Sequence, residues 1–160
     1  MLGLSKRKPV AGAARDAVAP FLPWSEKYRV GNEAIDNDHH RLFELINQFH
    51  AAVHGGQAPR VVKGTLEELL DYVRQHFDRE EKIMALARYP DLARHREMHA
   101  RLRRAVAATE MSYQVAARIF DFTSFLSFLQ SWLTKHILVE DRKFADFAGQ
   151  FVGREIHHRA

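Results

Sequence analysis

Five histidines and two carboxylates stand at helical spacings within otherwise apolar stretches of this sequence. They are His39, His76, Glu80, His95, His99, His136 and Asp141. Polar groups on the inner face of a helix need partners, because removing them from water is costly. Imidazole nitrogens, alone or with carboxylate oxygens, are ligands that iron, copper, zinc and nickel take in proteins. The pattern therefore predicts a transition-metal site.

The spacing within two of these stretches puts the polar residues on one helix face. His76 and Glu80 are four residues apart, and so are His95 and His99, which is about one helical turn. One such pair is common by chance, and a single inward histidine is more often a hydrogen-bonded core residue than a ligand. Four stretches that each supply part of a ligand set favour the metal site, because four-helix bundles build metal centres from facing helices.

The size of the ligand set predicts two metal ions. Five imidazoles and two carboxylates are more than one ion takes. If both carboxylates bridge two ions that also share one oxygen, about eleven of the twelve bonds of two octahedra are filled. One coordination position then stays open, and a small ligand such as dioxygen would bind there.

Helical periodicity predicts the elements that must position these residues. The first helix runs from Asp38, as its N-cap, to about Val53, and the second follows Thr65 and stops before Tyr89-Pro90. The third begins at Pro90 or Asp91 and runs to about Glu110, and the fourth covers roughly Val115 to Ala148. Four amphipathic helices with short connections predict an all-α, antiparallel up-down-up-down four-helix bundle with an irregular N-terminal arm.

Composition narrows the possible chemistry and the domain organisation. The 160 residues include no cysteine, so this sequence has no disulfide, thiolate ligand or thiol nucleophile. We predict a basic flexible extension over residues 1–20, the bundle over residues 21–150 and a C-terminal tail over residues 151–160. Much of the net charge of +4 lies in the extension, which could contact an unknown protein partner. We expect no nucleic-acid partner, no membrane span and a cytoplasmic location.

The motifs that contain the seven residues resemble those of the hemerythrin family, in particular its single-domain bacterial members. The likeness runs from about Trp24 to Phe147. Its motifs are W-S-x-x-Y-x-V-G from Trp24, I-D-x-x-H-x-x-L-F from Ile35, H-F-x-x-E-E from His76, Y-P-x-x-x-x-H-x-x-x-H from Tyr89 and W-L-x-x-H-I-x-x-x-D from Trp132.

This resemblance implies a non-haem di-iron centre that binds dioxygen. It assigns His95, His99 and His136 to one iron, His39 and His76 to the other, and Glu80 and Asp141 as bridges beside an oxo or hydroxo group. The iron with two histidines would take dioxygen reversibly, so the implied role is oxygen carriage, storage or delivery without catalysis. A dry oxygen pocket would be lined by Phe77, Trp132, Leu133 and Ile137.

One ligand is ambiguous on spacing alone. His136 and Asp141 are five residues apart, which puts them about 140° apart on an ideal helix. Glu140 is the better partner by spacing, whereas the family pattern selects Asp141, which would require a local distortion of the helix.

Three other functions remain open at this point. The protein could be an oxygen or redox sensor acting through a partner, a di-iron enzyme handling peroxide or nitric oxide, or a structural zinc bundle. Di-iron oxidases use four carboxylates with paired Glu-x-x-His motifs, and only two carboxylates match here. The seven-ligand count disfavours structural zinc, which usually takes four ligands.

Overall fold

The computed structural model describes the backbone of residues 19–157 and the side chains of residues 19–149. The predicted extension over residues 1–20 therefore falls almost wholly outside the described residues, as do residues 158–160 of the predicted C-terminal tail.

The chain forms the predicted antiparallel four-helix bundle, and its described residues contain no β-strand. The helices are α1 (Glu33–His54), α2 (Pro59–Leu86), α3 (Leu92–Ala116), α4 (Phe122–Lys135) and α5 (Arg142–His157). A π-helical turn over His136–Asp141 joins α4 to α5, so that the three run as one continuous helix. This long helix is the fourth member of the bundle.

The first helix begins earlier than predicted, and Asp38 is not its N-cap. The N-cap is Asn32, whose side-chain oxygen accepts a hydrogen bond of 3.2 Å from the Ile35 N–H. Asp38 lies inside α1 and is buried, and its carboxylate binds Arg79 and Tyr72 on α2. Asn32 and Asp38 are both of types that cap helices. Asp38 does not cap α1, because its carboxylate is engaged in the ion pair with Arg79.

Three further boundaries differ from the predicted ones. Helix α2 begins at Pro59 rather than after Thr65, because a proline at the first helical position loses no hydrogen bond. Helix α3 continues through the break predicted after Glu110, where the sequence has no glycine or proline to end it. Helix α4 begins after Asp121, whose side chain caps it by accepting a 2.9 Å hydrogen bond from the Ser124 N–H.

The segment before α1 is held against the bundle by side chains of α1. Asp36 is buried and accepts hydrogen bonds from the Val30 and Gly31 N–H groups at 2.6 and 3.2 Å. The ring of Tyr28 packs on Phe43 with centroids 4.6 Å apart. These contacts fix the irregular arm beside the first turns of α1, which is the end of the helix that carries His39.

A continuous apolar core connects the helices. Its fully buried large side chains include Phe43, Phe49, Phe77, Leu69, Met84 and Leu126. They come from α1, α2 and α4, as the amphipathic patterns predict. Within the part of the chain that the structure describes, no helix is both long and apolar enough to cross a bilayer.

Candidate metal centre

The bundle brings all seven predicted side chains together in its interior, where none is more than 5% exposed. His39 comes from α1, His76 and Glu80 from α2, His95 and His99 from α3, and His136 and Asp141 from the π-helical turn. Each helix contributes ligands because its polar residues lie on the same inward face as the apolar residues that form the core. A polar chamber therefore lies inside the apolar core.

Six of the seven side chains fall into two groups that could each hold a metal ion. One group is Glu80, His95, His99 and His136, and the other is His39, His76 and Glu80. Within each group the candidate ligand atoms all lie within 4.8 Å of one another. The three histidines of the first group and the two of the second are the sets that the family resemblance assigns to separate irons.

Glu80 belongs to both groups. Its Oε2 lies 3.3 Å from Nε2 of His95, 3.2 Å from Nε2 of His99 and 4.0 Å from Nε2 of His76. Glu80 therefore lies between the two histidine sets, which is the position that a carboxylate shared by two metal ions would occupy.

Asp141 lies between the two histidine sets in the same way. Its Oδ2 is 3.2 Å from Nε2 of His39. Its Oδ1 is 3.1 Å from Nε2 of His136 and 3.6 Å from Nε2 of His95. Two carboxylates, from α2 and from the π-helical turn, therefore stand between the same two groups of imidazoles.

The π-helical turn decides between Asp141 and Glu140. A wider turn brings residues five apart onto one face, so Asp141 points inward with His136. Glu140 points outward, where its carboxylate pairs with Arg94 and Lys143. The local distortion that the family pattern required is present at this position.

Several atoms of the chamber lack the partners that buried polar atoms normally have. By distance and angle together, the buried atoms that make no hydrogen bond are Nδ1 and Nε2 of His39, Nε2 of His76, Oε1 of Glu80, and Oδ1 and Oδ2 of Asp141. The two Asp141 oxygens lie close to imidazole nitrogens, at 3.1 and 3.2 Å, but without the alignment of a hydrogen bond. In addition, Nε2 of His99 lies 3.1 Å from Nε2 of His95 and 3.0 Å from Nε2 of His136. Converging nitrogen lone pairs repel unless a cation or a proton stands between them, so the donor set fits bound metal ions.

Electrostatics favour ionised carboxylates in this chamber. Burial and the neighbouring Asp141 would raise the pKa of Glu80, but its contacts with the imidazoles of His95 and His99 outweigh them and hold it below its ordinary value. Burial would likewise raise the pKa of Asp141, and His136 holds it well below that value. Burial lowers the pKa of His99. A chamber with two ionised carboxylates attracts cations.

Glu81 has a role that the sequence did not reveal. Its position directly after Glu80 puts it on a different part of the helix surface, which predicts a solvated side chain. Instead its Oε1 lies 3.0 Å from Nδ1 of His99, and its carboxylate is also bound by Arg103 and Arg96. Burial would raise the pKa of Glu81, and hydrogen bonds from His99 and Arg103 lower it. No spacing signal could have found this contact, because His99 is on another helix.

Asp38 is the second carboxylate that contacts the outer side of a predicted ligand. Its Oδ2 lies 3.5 Å from Nδ1 of His76. Burial would raise the pKa of Asp38, but hydrogen bonds from His76, Arg79 and Tyr72 hold it well below its ordinary value. The acidic residue beside His39 was visible in the sequence, but its partners on α2 were not.

The aromatic rings of two predicted pocket residues stand beside the histidines. Phe77 stacks on His99 with centroids 3.9 Å apart, and Trp132 stacks on His136 at 4.4 Å. Ile137 is fully buried in the π-helical turn.

A small apolar cavity adjoins these rings. Its volume is about 10 Å³, and its lining includes Phe77, Trp132, Leu133, Leu42 and Val73. Leu42 lies three residues after His39 and Val73 three before His76, so both share a helix face with those histidines. A larger cavity of about 520 Å³ lies between α3 and α4, with Trp132 and His136 also in its wall.

Sequence comparisons relate this chain to one protein family. The family model described as the hemerythrin HHE cation binding domain matches residues 30–148. A bacteriohemerythrin of Stenotrophomonas maltophilia is 32% identical over 126 residues, which cover 79% of this chain and 80% of that protein. A bacteriohemerythrin of Pseudomonas aeruginosa is 32% identical over 125 residues, which cover 78% of this chain and 80% of that protein.

More distant similarities agree with these matches. A hemerythrin-like protein of Naegleria gruberi is 29% identical over 126 residues, covering 79% of this chain and 92% of that protein. A crystal structure of a hemerythrin mutant superposes with a TM-score of 0.74 at 23% identity, covering 81% of this chain and 98% of the other. At that identity the structural likeness supports the fold.

Proposed function

The chain belongs to the hemerythrin family, and on that premise we propose that it binds dioxygen reversibly at a non-haem di-iron centre. The proposed ligands of one iron are His95, His99 and His136, those of the other are His39 and His76, and Glu80 and Asp141 bridge the two. The proposed role is oxygen carriage, storage or delivery by residues 21–150.

The observation that carries this proposal is the position of the two carboxylates. Glu80 and Asp141 each approach imidazoles of both histidine sets. A single structural zinc would need four ligands and would leave buried polar atoms of the other set without partners. Two ions account for all seven side chains, and the two sets differ by one histidine. The ion held by His39 and His76 would therefore be the one with the open position.

Two ferrous ions, when bound, supply the electrons and the open coordination position that reversible dioxygen binding requires. The task of the protein is to hold the ligand atoms and to exclude water and mobile protons. The small apolar cavity, whose wall includes Leu42 and Val73 about one turn from His39 and His76, has room for about one water at most. Its wall includes Leu42, Val73 and Leu133, which offer no proton to a ligand. An apolar wall that excludes water from the neighbourhood of the centre favours release of dioxygen unchanged.

An optical titration of the iron-loaded protein tests this function. We expect a visible band that appears when oxygen is admitted to the reduced protein and disappears under argon, over repeated cycles. Irreversible oxidation at the first exposure would contradict the carrier role and favour the alternative of peroxide or nitric oxide chemistry. Retention of far fewer than two irons per chain would contradict the ligand assignment.

A sensor acting through a partner would also show the reversible band. The two roles differ in whether the proposed contact of residues 1–20 with another protein changes between the oxygenated and deoxygenated states. A partner for this segment and a cytoplasmic location stay predictions.

A further inference from the structure

We propose that Glu81 and Asp38 are positioning residues, which fix the ring orientation and the tautomer of His99 and His76 respectively. Glu81 thereby prepares a histidine of the three-histidine set, and Asp38 one of the two-histidine set, to bind metal through Nε2. The inference rests on the proposed function, because it assigns these residues a purpose at the same centre.

The Glu81 contact spans two helices and involves the nitrogen of His99 that faces away from the chamber. Glu81 Oε1 on α2 lies 3.0 Å from Nδ1 of His99 on α3. A carboxylate held by an arginine is ionised and can only accept, so Nδ1 must carry the hydrogen. In a neutral imidazole the other nitrogen then has the free lone pair. That nitrogen is Nε2, which lies 3.2 Å from Oε2 of Glu80.

The Asp38 contact is longer, but its carboxylate is held more firmly. Asp38 Oδ2 lies 3.5 Å from Nδ1 of His76. Arg79 donates to both oxygens of Asp38, at 2.7 and 2.8 Å, and Tyr72 donates its hydroxyl hydrogen at 2.8 Å. Nε2 of His76 has no hydrogen-bond partner and faces Glu80 at 4.0 Å. Asp38 thus holds Nδ1 of His76 and leaves Nε2, which faces the chamber, free to bind metal.

Arginines neutralise both outer carboxylates. Arg79 pairs with Asp38, and Arg103 donates to Glu81 at 3.0 Å while also pairing with the exposed Asp78 at 2.7 Å. Because their charge is already balanced, these carboxylates act mainly through the direction of their hydrogen bonds. Removal of a carboxylate that holds a ligand histidine typically weakens metal binding by about 10- to 100-fold.

The first experiment uses a series of variants around His99. Glu81→Ala removes the acceptor, Glu81→Gln keeps an acceptor oxygen without the charge, and Asp78→Ala is the control that shares Arg103 but touches no histidine. Iron retention is measured against a competing chelator, with circular dichroism to verify folding. We expect Glu81→Ala to lose affinity by about 10- to 100-fold, Glu81→Gln to recover most of it, and Asp78→Ala to match the unaltered protein.

A second measurement reads the tautomer without any metal. Long-range proton–nitrogen NMR spectra of the metal-free chain at pH 8 distinguish a hydrogen on Nδ1 from one on Nε2. We expect His99 to carry its hydrogen on Nδ1 in the unaltered protein and in Glu81→Gln, and to carry it mainly on Nε2, which faces Glu80 at 3.2 Å, in Glu81→Ala. The same pattern is expected for His76 in Asp38→Ala, with Asp71→Ala as a control that loses only a surface pair with Arg74.

The outcomes separate this inference from the proposed function. An unchanged His99 tautomer in Glu81→Ala, or equal iron retention in Glu81→Ala and Asp78→Ala, overturns the positioning role of Glu81. Loss of the reversible oxygen band in the unaltered protein overturns the carrier function, and the tautomer of His99 still decides the positioning role.

Discussion

Nε2 of His136 lies 3.1 Å from Oδ1 of Asp141, although five residues separate them on a single continuous helix. An α-helix would turn these side chains away from each other, and the π-helical turn His136–Asp141 brings them to the same side. The extra residue in this turn therefore places the second carboxylate in the chamber. Glu140, the partner that regular spacing would choose, pairs with Arg94 and Lys143 instead.

Replacing Asp141 should therefore matter far more than replacing Glu140. We expect Asp141→Ala to reduce iron retention by at least about tenfold, because a buried side chain proposed to bind both ions is lost. Glu140→Ala should retain nearly two irons per chain, because it removes only partly exposed ion pairs. Iron content after gel filtration with a chelator measures both. Equal losses in the two variants would contradict the role assigned to the π-helical turn.

Metal removal should destabilise the bundle. Ligands that bind only the folded state stabilise it, by about 2.7 kcal/mol when the free ligand is one hundred times its dissociation constant. We expect the iron-loaded protein to unfold at a higher temperature than the chelated protein in calorimetry. His99→Ala should shrink this difference, whereas His50→Ala, at a ring that packs on Phe21 and His54, should leave it intact. Identical shifts in the two variants would argue against the proposed ligands.

A polar group in the apolar cavity should shorten the life of the oxygenated protein. Leu133→Thr places a hydroxyl donor in the wall of that cavity, where it can hold water or supply a proton. Leu126→Thr is the control, because Leu126 is equally buried on α4 but is not part of that wall. Both should lose about 2 to 5 kcal/mol of stability, as leucine truncations do. Only Leu133→Thr should speed the decay of the oxygen-dependent band, and equal decay in both would exclude the pocket assignment.

The end of α2 contains a residue whose replacement should stabilise the protein. Arg88 has a φ of +54°, and the N–H groups of Arg88 and Tyr89 bond to the carbonyls of Ala85 and Met84. This is a Schellman motif with arginine where glycine is favoured. We expect Arg88→Gly to raise the free energy of unfolding by about 1 kcal/mol, measured by urea denaturation. Arg88→Ala keeps the strain of a Cβ at this φ, so an equal gain from alanine would rule out the backbone explanation.

The residue types and local spacings of this sequence were sufficient to predict the protein family and the four-helix bundle. Periodic apolar residues predict the helices because side chains of one face recur about every 3.6 residues. The pairs His76–Glu80 and His95–His99 needed no tertiary information, since each lies within one turn of one helix. Both the hemerythrin family and the four-helix fold are confirmed.

Only the tertiary structure decided the features that depend on contacts between helices or on departures from regular geometry. Asp38 looked like a helix cap until Arg79 and Tyr72 on another helix engaged its carboxylate. Glu81 looked solvated until His99 was brought within 3.0 Å. Spacing alone could not decide whether Asp141 or Glu140 faces the chamber, because a π-helical turn changes the angle between two side chains without changing the number of residues between them. Local periodicity sets which face a side chain occupies, and packing against neighbouring helices sets what that side chain meets.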